Sequence, residues 1–152
     1  MKQAGFIFIL IIITSCLSFA KTPTLVDLRA GYYTDVEELY IGGGFRTGLG
    51  RSLDLNPNLE YVLIEGGTYM TINVDLLFTI MANRRNFALL GAGLAISRFD
   101  PEGKAEGDSD TGLNFLFRYG FITRSAIPYF QAKVIMGDYD DIVLGGGLEF
   151  RL

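Results

Sequence analysis

Past an apolar N-terminal stretch, hydrophobic residues recur at every second position, in run after run. From Thr68 to Met81, Met70, Ile72, Val74, Leu76, Phe78 and Ile80 fall on one face, and Tyr69, Thr71, Asn73, Asp75 and Thr79 on the other. From Gly112 to Ile122, Leu113, Phe115, Phe117, Tyr119 and Phe121 alternate with Asn114, Leu116, Arg118 and Gly120. At the end of the chain, Ile142, Leu144, Leu148, Phe150 and Leu152 oppose Gly145, Gly147, Glu149 and Arg151. A period of two belongs to strands with two unlike faces; helical spacing fits none of these runs.

Counting alternating runs between turn signals gives eight strands, at residues 24–34, 38–49, 52–64, 68–81, 86–99, 111–122, 127–138 and 141–152. The expected fold is all-β: an eight-stranded antiparallel up-and-down barrel, each strand long enough for a tilted membrane crossing of about 9–11 residues. The fifth run, FALLGAGLAISRF, has the least defined phase, because Leu89 and Leu90 are both apolar and glycines at 91 and 93 blur its faces.

Alternation alone does not say which face is wet, so a soluble barrel with apolar faces inward is the structural rival. The polar face argues against it. A water-facing surface is normally rich in Lys and Glu, yet after residue 20 the only lysines are Lys21, Lys104 and Lys133, and the polar face is heavy in Gly, Arg, Asn and Thr.

Residues 4–13, AGFIFILIII, follow Lys2 and precede small residues, the order of a secretory signal. The run is shorter than the ~20 apolar residues that a spanning helix needs. Two processing sites compete: Ser18-Phe19-Ala20 fits small-x-small cleavage, giving a signal peptide at 1–20 and a barrel domain at 21–152, whereas Ile13-Thr14-Ser15-Cys16 resembles a lipobox. Cys16 is the sole cysteine, so the barrel has no internal disulfide.

Connections sort by charge. Arg51, then Arg84 and Arg85, then Arg124 mark one end. Asp35, Glu37 and Glu38, then Glu65, then the stretch from Asp100 to Asp110, then Asp138, Asp140 and Asp141 mark the other. Basic turns on the periplasmic side and acidic loops outside give one consistent topology. With a net charge of -4, this argues against a nucleic-acid partner. Phe78, Phe121, Phe130 and Phe150 toward the periplasmic ends, and Tyr32 and Tyr61 toward the outer ends, are placed as interfacial aromatic girdles.

If the apolar faces meet lipid, the enclosed set holds Asp27, Arg29, Arg46, Asp54, Glu60, Asp75, Arg98, Arg118, Lys133, Glu149 and Arg151, a near balance of signs. An eight-stranded barrel is just wide enough for side chains to fill it, so these groups are expected to pair and leave no continuous pore. A selective ion path or ligand pocket is the alternative. Inward glycines, including Gly31, Gly42, Gly44, Gly91, Gly93, Gly145 and Gly147, are expected to make room for Arg and Tyr side chains of neighbouring strands.

Chemistry-bearing constellations are absent. The chain has no histidine, which removes Ser-His-Asp and Cys-His sites and His-ligated metals. Asp108-Ser109-Asp110 and Asp138-Tyr139-Asp140-Asp141 lack an EF-hand pattern and read as solvated loop charge rather than a calcium site. No helix follows the triplets Gly42-Gly43-Gly44 and Gly145-Gly146-Gly147, so they are not phosphate loops. No enzyme, cofactor or metal is expected.

The ending Gly147-Leu148-Glu149-Phe150-Arg151-Leu152, a glycine followed by spaced outward hydrophobics, resembles the assembly signal of small eight-stranded outer-membrane β-barrel proteins. These are the OmpA- and OmpX-type transmembrane barrels, a porin-like family, and LLGAGLAISRF resembles their Gly-rich strands. The chain departs from the pattern in ending on Leu152 rather than Phe and in having Gly145 at a usually polar position. The resemblance implies a Gram-negative outer-membrane location, insertion by the outer-membrane assembly machinery, and Gly147, Phe150 and Leu152 as the assembly signal. Lipid A deacylase and palmitoyltransferase barrels resemble the chain in architecture only, because both depend on a catalytic histidine. The expected protein is therefore non-enzymatic, anchored by outer-membrane lipid, with a closed polar lumen and a structural or surface-interaction role in the envelope; the alternative is a narrow channel or small-ligand carrier.

Overall fold

The computed structural model describes residues 23–103, 107–137 and 140–152. The expected leader and Cys16 lie outside the described residues. Eight strands follow in order: β1 (Leu25–Tyr33), β2 (Glu38–Gly48), β3 (Leu53–Val62), β4 (Gly67–Ala82), β5 (Asn86–Pro101), β6 (Asp108–Phe121), β7 (Ile127–Met136) and β8 (Asp141–Arg151). Each pairs antiparallel with its neighbours, and β8 returns to β1 from Leu25↔Arg151 to Tyr33↔Val143, closing the barrel. Closure leaves no sheet edge, the condition for a sheet to sit in hydrocarbon.

Sequence alternation sets which residues point in. On β4, Thr71, Asn73, Asp75 and Leu77 are buried while Ile72, Val74, Leu76 and Phe78 are exposed. On β6, Asn114, Leu116 and Arg118 are buried while Leu113, Phe115 and Phe117 are exposed. The exterior is a belt of Leu, Ile, Val and Phe around all eight strands, and the interior holds fully buried Arg, Lys, Asp and Glu. That is a soluble protein turned inside out. A continuous apolar surface of this kind is stable against acyl chains and aggregates in water, so the soluble alternative fails.

Two details depart from the sequence expectation. The β5–β6 ladder runs on to Phe99↔Asp108, so most of the Asp100–Asp110 stretch is strand or its immediate turn. Apolar alternation stops where the strands rise above lipid, but backbone pairing needs no apolar side chains to continue. The β4–β5 register also slips between Thr79 and Met81, a bulge that shifts the phase of the last turn of β4. In β5 the blurred phase resolves: Leu89 points in and Leu90 out.

Candidate functional site

The inward polar residues of six strands converge into one layer. Arg118 of β6 is wholly buried; its guanidinium donates to Glu149 Oε1 at 2.8 Å, to Asn56 Oδ1 at 3.0 Å and to Gln131 Oε1 at 2.7 and 3.0 Å, and lies 4.2 Å over the Tyr129 ring. Glu149 also accepts from Arg46 at 2.7 Å, and Arg46 reaches Asp54 at 3.0 Å. Arg29 forks onto Asp27, which also accepts from the Tyr129 hydroxyl at 3.2 Å. Nearer the opposite mouth, Glu60 is a hub: Lys133 Nζ and the Tyr33 hydroxyl each donate to its Oε2 at 2.6 Å, and Arg29 lies 3.5 Å from its Oε1. Charge pairs in low dielectric need such partnering to offset their desolvation.

Asp75 is held differently. Asn58 and Asn114 donate amide hydrogens to its two oxygens at 3.0 and 2.9 Å. Asn114 also donates to Asn73 at 2.8 Å and Asn73 to Asn58 at 3.0 Å, which closes a ring of four side chains. Among the described residues no cation reaches this buried carboxylate.

The charged layer is flanked by two apolar clusters that the alternation did not disclose. Leu25, Leu77, Phe87, Leu89, Leu116 and Ile127 fill the lumen toward the end where β1 begins and β8 finishes. Tyr33, Tyr40, Val62, Ala95, Ile135 and Val143 fill it toward the other end. Their trace in the sequence is the apolar residue that breaks alternation: Leu77 after Leu76, Leu89 before Leu90, Leu116 between Phe115 and Phe117. Such doublets put hydrophobics on both faces at once.

Nine of the eleven predicted lumen charges lie inside; Arg98 and Arg151 do not join the layer. The Arg98 side chain is 53% exposed and pairs with Asp100 at 2.7 Å. It shares the outward face of Leu94 and Ile96, because inward positions of β5 are odd-numbered, as Gly91, Gly93, Ala95 and Ser97 require. Arg151 keeps the inward phase but sits exposed in the terminal mouth, lining a small pocket of about 260 Å³ with Leu25 and Phe87. The inward glycines take up close approaches: a Cβ on Gly31 would stand 2.6 Å from the Tyr40 ring, and one on Gly147 2.7 Å from the Tyr129 hydroxyl. Phe150 and Leu152 of the expected assembly signal are exposed on the outer face, and Gly147 points inward.

The mouth away from the start of β1 and the end of β8 opens into a cup of about 660 Å³. Asp35, Asp108, Asp110, Asp140 and Asp141 stand around it, and Ile64, Tyr69, Phe99 and Ile135 line it below. Asp138 and Tyr139 lie outside the described residues. Among the described residues no three carboxylates converge as metal ligands.

No family model and no curated protein matches the sequence. Solved structures do match the fold. The N-terminal β-barrel domain of Pseudomonas aeruginosa OprF superposes with a TM-score of 0.73 at 12% identity, covering 86% of this chain and 97% of that one. The Yersinia pestis outer membrane protein Ail, in a phospholipid bilayer nanodisc, superposes with 0.57 at 12% identity over 87% and 100%. The outer membrane enzyme PagL superposes with 0.54 at 11% identity over 84% and 98%. At these identities the likeness is one of fold. The fold is that of the small eight-stranded outer-membrane barrels, and the apolar belt is where such a barrel meets lipid.

Proposed function

We propose that this chain is a non-enzymatic, non-conducting integral protein of the bacterial outer membrane, serving envelope structure or surface interaction through its acidic mouth. The observation that carries the reading is the filled lumen: Arg118 bridges Glu149, Asn56 and Gln131 across the interior, between two apolar clusters. An ion that has passed the charges of either mouth meets hydrocarbon side chains before the buried layer, whose charged groups already have hydrogen-bond partners. The non-enzymatic part of the reading is supported by the absence of histidine, since the fold itself also serves the enzyme PagL.

On this reading the exposed Phe150 and Leu152, with Gly147, form the signal read by the assembly machinery, and the termini lie in the periplasm. Planar-bilayer recording of the purified, refolded protein tests the closed lumen. The expected trace has no steady current; reproducible single-channel steps would establish a pore instead.

A further inference from the structure

The cup at the acidic mouth is floored by side chains rather than open to the lumen. Tyr69 of β4 and Phe99 of β5 are cross-strand partners on its wall. Ile64 and Tyr69 pack on the cluster of Tyr33, Tyr40, Val62 and Val143 that closes the barrel below. An apolar, aromatic cup of about 660 Å³ lies in the size range of small-molecule pockets, roughly 300–1,000 Å³.

Its described rim residues carry one sign of charge. Among the described residues lining the cup, five are aspartates and none is basic. Among the described residues, the Asp108, Asp110 and Asp140 carboxylates accept from nearby backbone N–H groups, those of Ser109, Thr111 and Gly137. Asp141 accepts from the Thr34 hydroxyl and the Asp35 N–H. In the lumen, by contrast, Asp27, Glu60 and Glu149 each meet a guanidinium or ammonium. Low-dielectric walls beneath one-signed charge focus the potential at the cup. The acids surround an apolar floor rather than converging on a point, so the arrangement suits an extended cation with an apolar body better than a bare metal ion.

The geometry points to a binding site for a small organic cation, an amine or guanidine bearing an aromatic or branched aliphatic group. The cationic head sits among Asp35, Asp108, Asp110 and Asp140, and the body stacks on Tyr69 and Phe99. The inference rests on the closed-lumen reading, because only a floored cup retains what enters it.

Calorimetric titration of the full chain in zwitterionic detergent tests the site with phenylalanyl-arginine amide as probe. The expected result is saturable one-to-one binding. Glycyl-arginine amide, lacking the ring, and phenylalanyl-glutamine amide, lacking the guanidinium, each bind about tenfold more weakly. Binding weakens several-fold as salt rises from about 0.05 to about 0.5 M. The Asp108→Asn/Asp110→Asn variant and, separately, Phe99→Ala lose at least fivefold while keeping the compact gel migration of a folded barrel. Should either variant misfold, the salt series and the three probes on the native chain still decide. No saturable binding, equal affinity for the three amides, or binding indifferent to salt overturns the site. A steady bilayer current that the arginine amide blocks sinks the closed lumen; absent binding to a barrel that carries no current sinks the site alone.

Discussion

Arg118 and Glu149 meet at 2.8 Å with both side chains wholly removed from solvent, one from β6 and the other from β8. Neither strand pairs with the other, so the contact crosses the lumen over β7 rather than running along a ladder. Arg118→Leu would strip Glu149 of one guanidinium and Gln131 Oε1 of its Arg118 donors, while Asn56 Oδ1 keeps Arg29 Nη2 at 3.1 Å. The expected cost is about 3 kcal/mol, typical of breaking a buried pair from one side. Thermal unfolding in detergent, followed by circular dichroism and by loss of compact gel migration, measures it. Replacing Arg118 and Glu149 together by Leu should cost less than the sum of the single changes; strict additivity would show the pair uncoupled.

Asp75 and Glu149 should respond in opposite ways to loss of charge. Glu149→Gln leaves Arg118 and Arg46 sharing a neutral amide, and a loss of about 3 kcal/mol is expected. Asp75→Asn removes a buried charge whose partners are amides alone. The oxygen of the new amide still accepts from Asn58 or Asn114, so one donor contact is lost together with the buried charge. Stability should hold within about 1 kcal/mol or rise. Equal destabilisation by the two changes, in parallel urea titrations, would refute the distinction.

The order of strands, the barrel and most of the lumen charge were legible in the chain because a period of two projects directly onto two faces. Three features were not. Arg98 was misplaced because charge suggested the lumen while parity with Ala95 and Ser97 puts it outside, where a long side chain reaches past lipid to Asp100. The apolar clusters at the two ends of the lumen were hidden because an inward Leu77 or Leu89 looks the same as a lipid-facing one when its neighbour is also apolar. The cup depends on Tyr69, Phe99 and Ile135 arriving together from three strands, a three-dimensional fact that no local pattern encodes.

Gly31 and Gly50 separate packing from backbone preference. A Cβ on Gly31 would meet the Leu144 carbonyl, Gly145 Cα and the Tyr40 ring, two of them backbone that cannot step aside. Gly50, in the β2–β3 turn, has nothing within 4 Å of an added Cβ and no positive φ. Gly31→Ala is expected to lower stability by about 1–3 kcal/mol through overpacking. Gly50→Ala should leave stability unchanged or slightly raised by trimming unfolded-state freedom. Melting midpoints of the two variants, compared in the same detergent, check both.

Leu94 and Arg98 share the outward face of β5, four residues apart, and only one of them carries charge. Leu94 stands near mid-strand, 55% exposed, between Val74 and Leu113 on the neighbouring strands. With a rise of about 3.4 Å per residue and a tilt near 40°, Arg98 lies about 10 Å nearer the outer surface, within reach of water. Depth therefore accounts for why the same face accepts an arginine at one position and presents leucine at the other. Leu94→Arg is expected to cost about 2–4 kcal/mol when folding is measured in phospholipid vesicles. A fluorophore carried on a cysteine at Leu94 should be quenched by lipid-borne bromine and shielded from aqueous iodide. Free quenching by iodide, together with an unchanged unfolding midpoint for the arginine variant, would mean that this face looks at water and that the barrel has been read inside out.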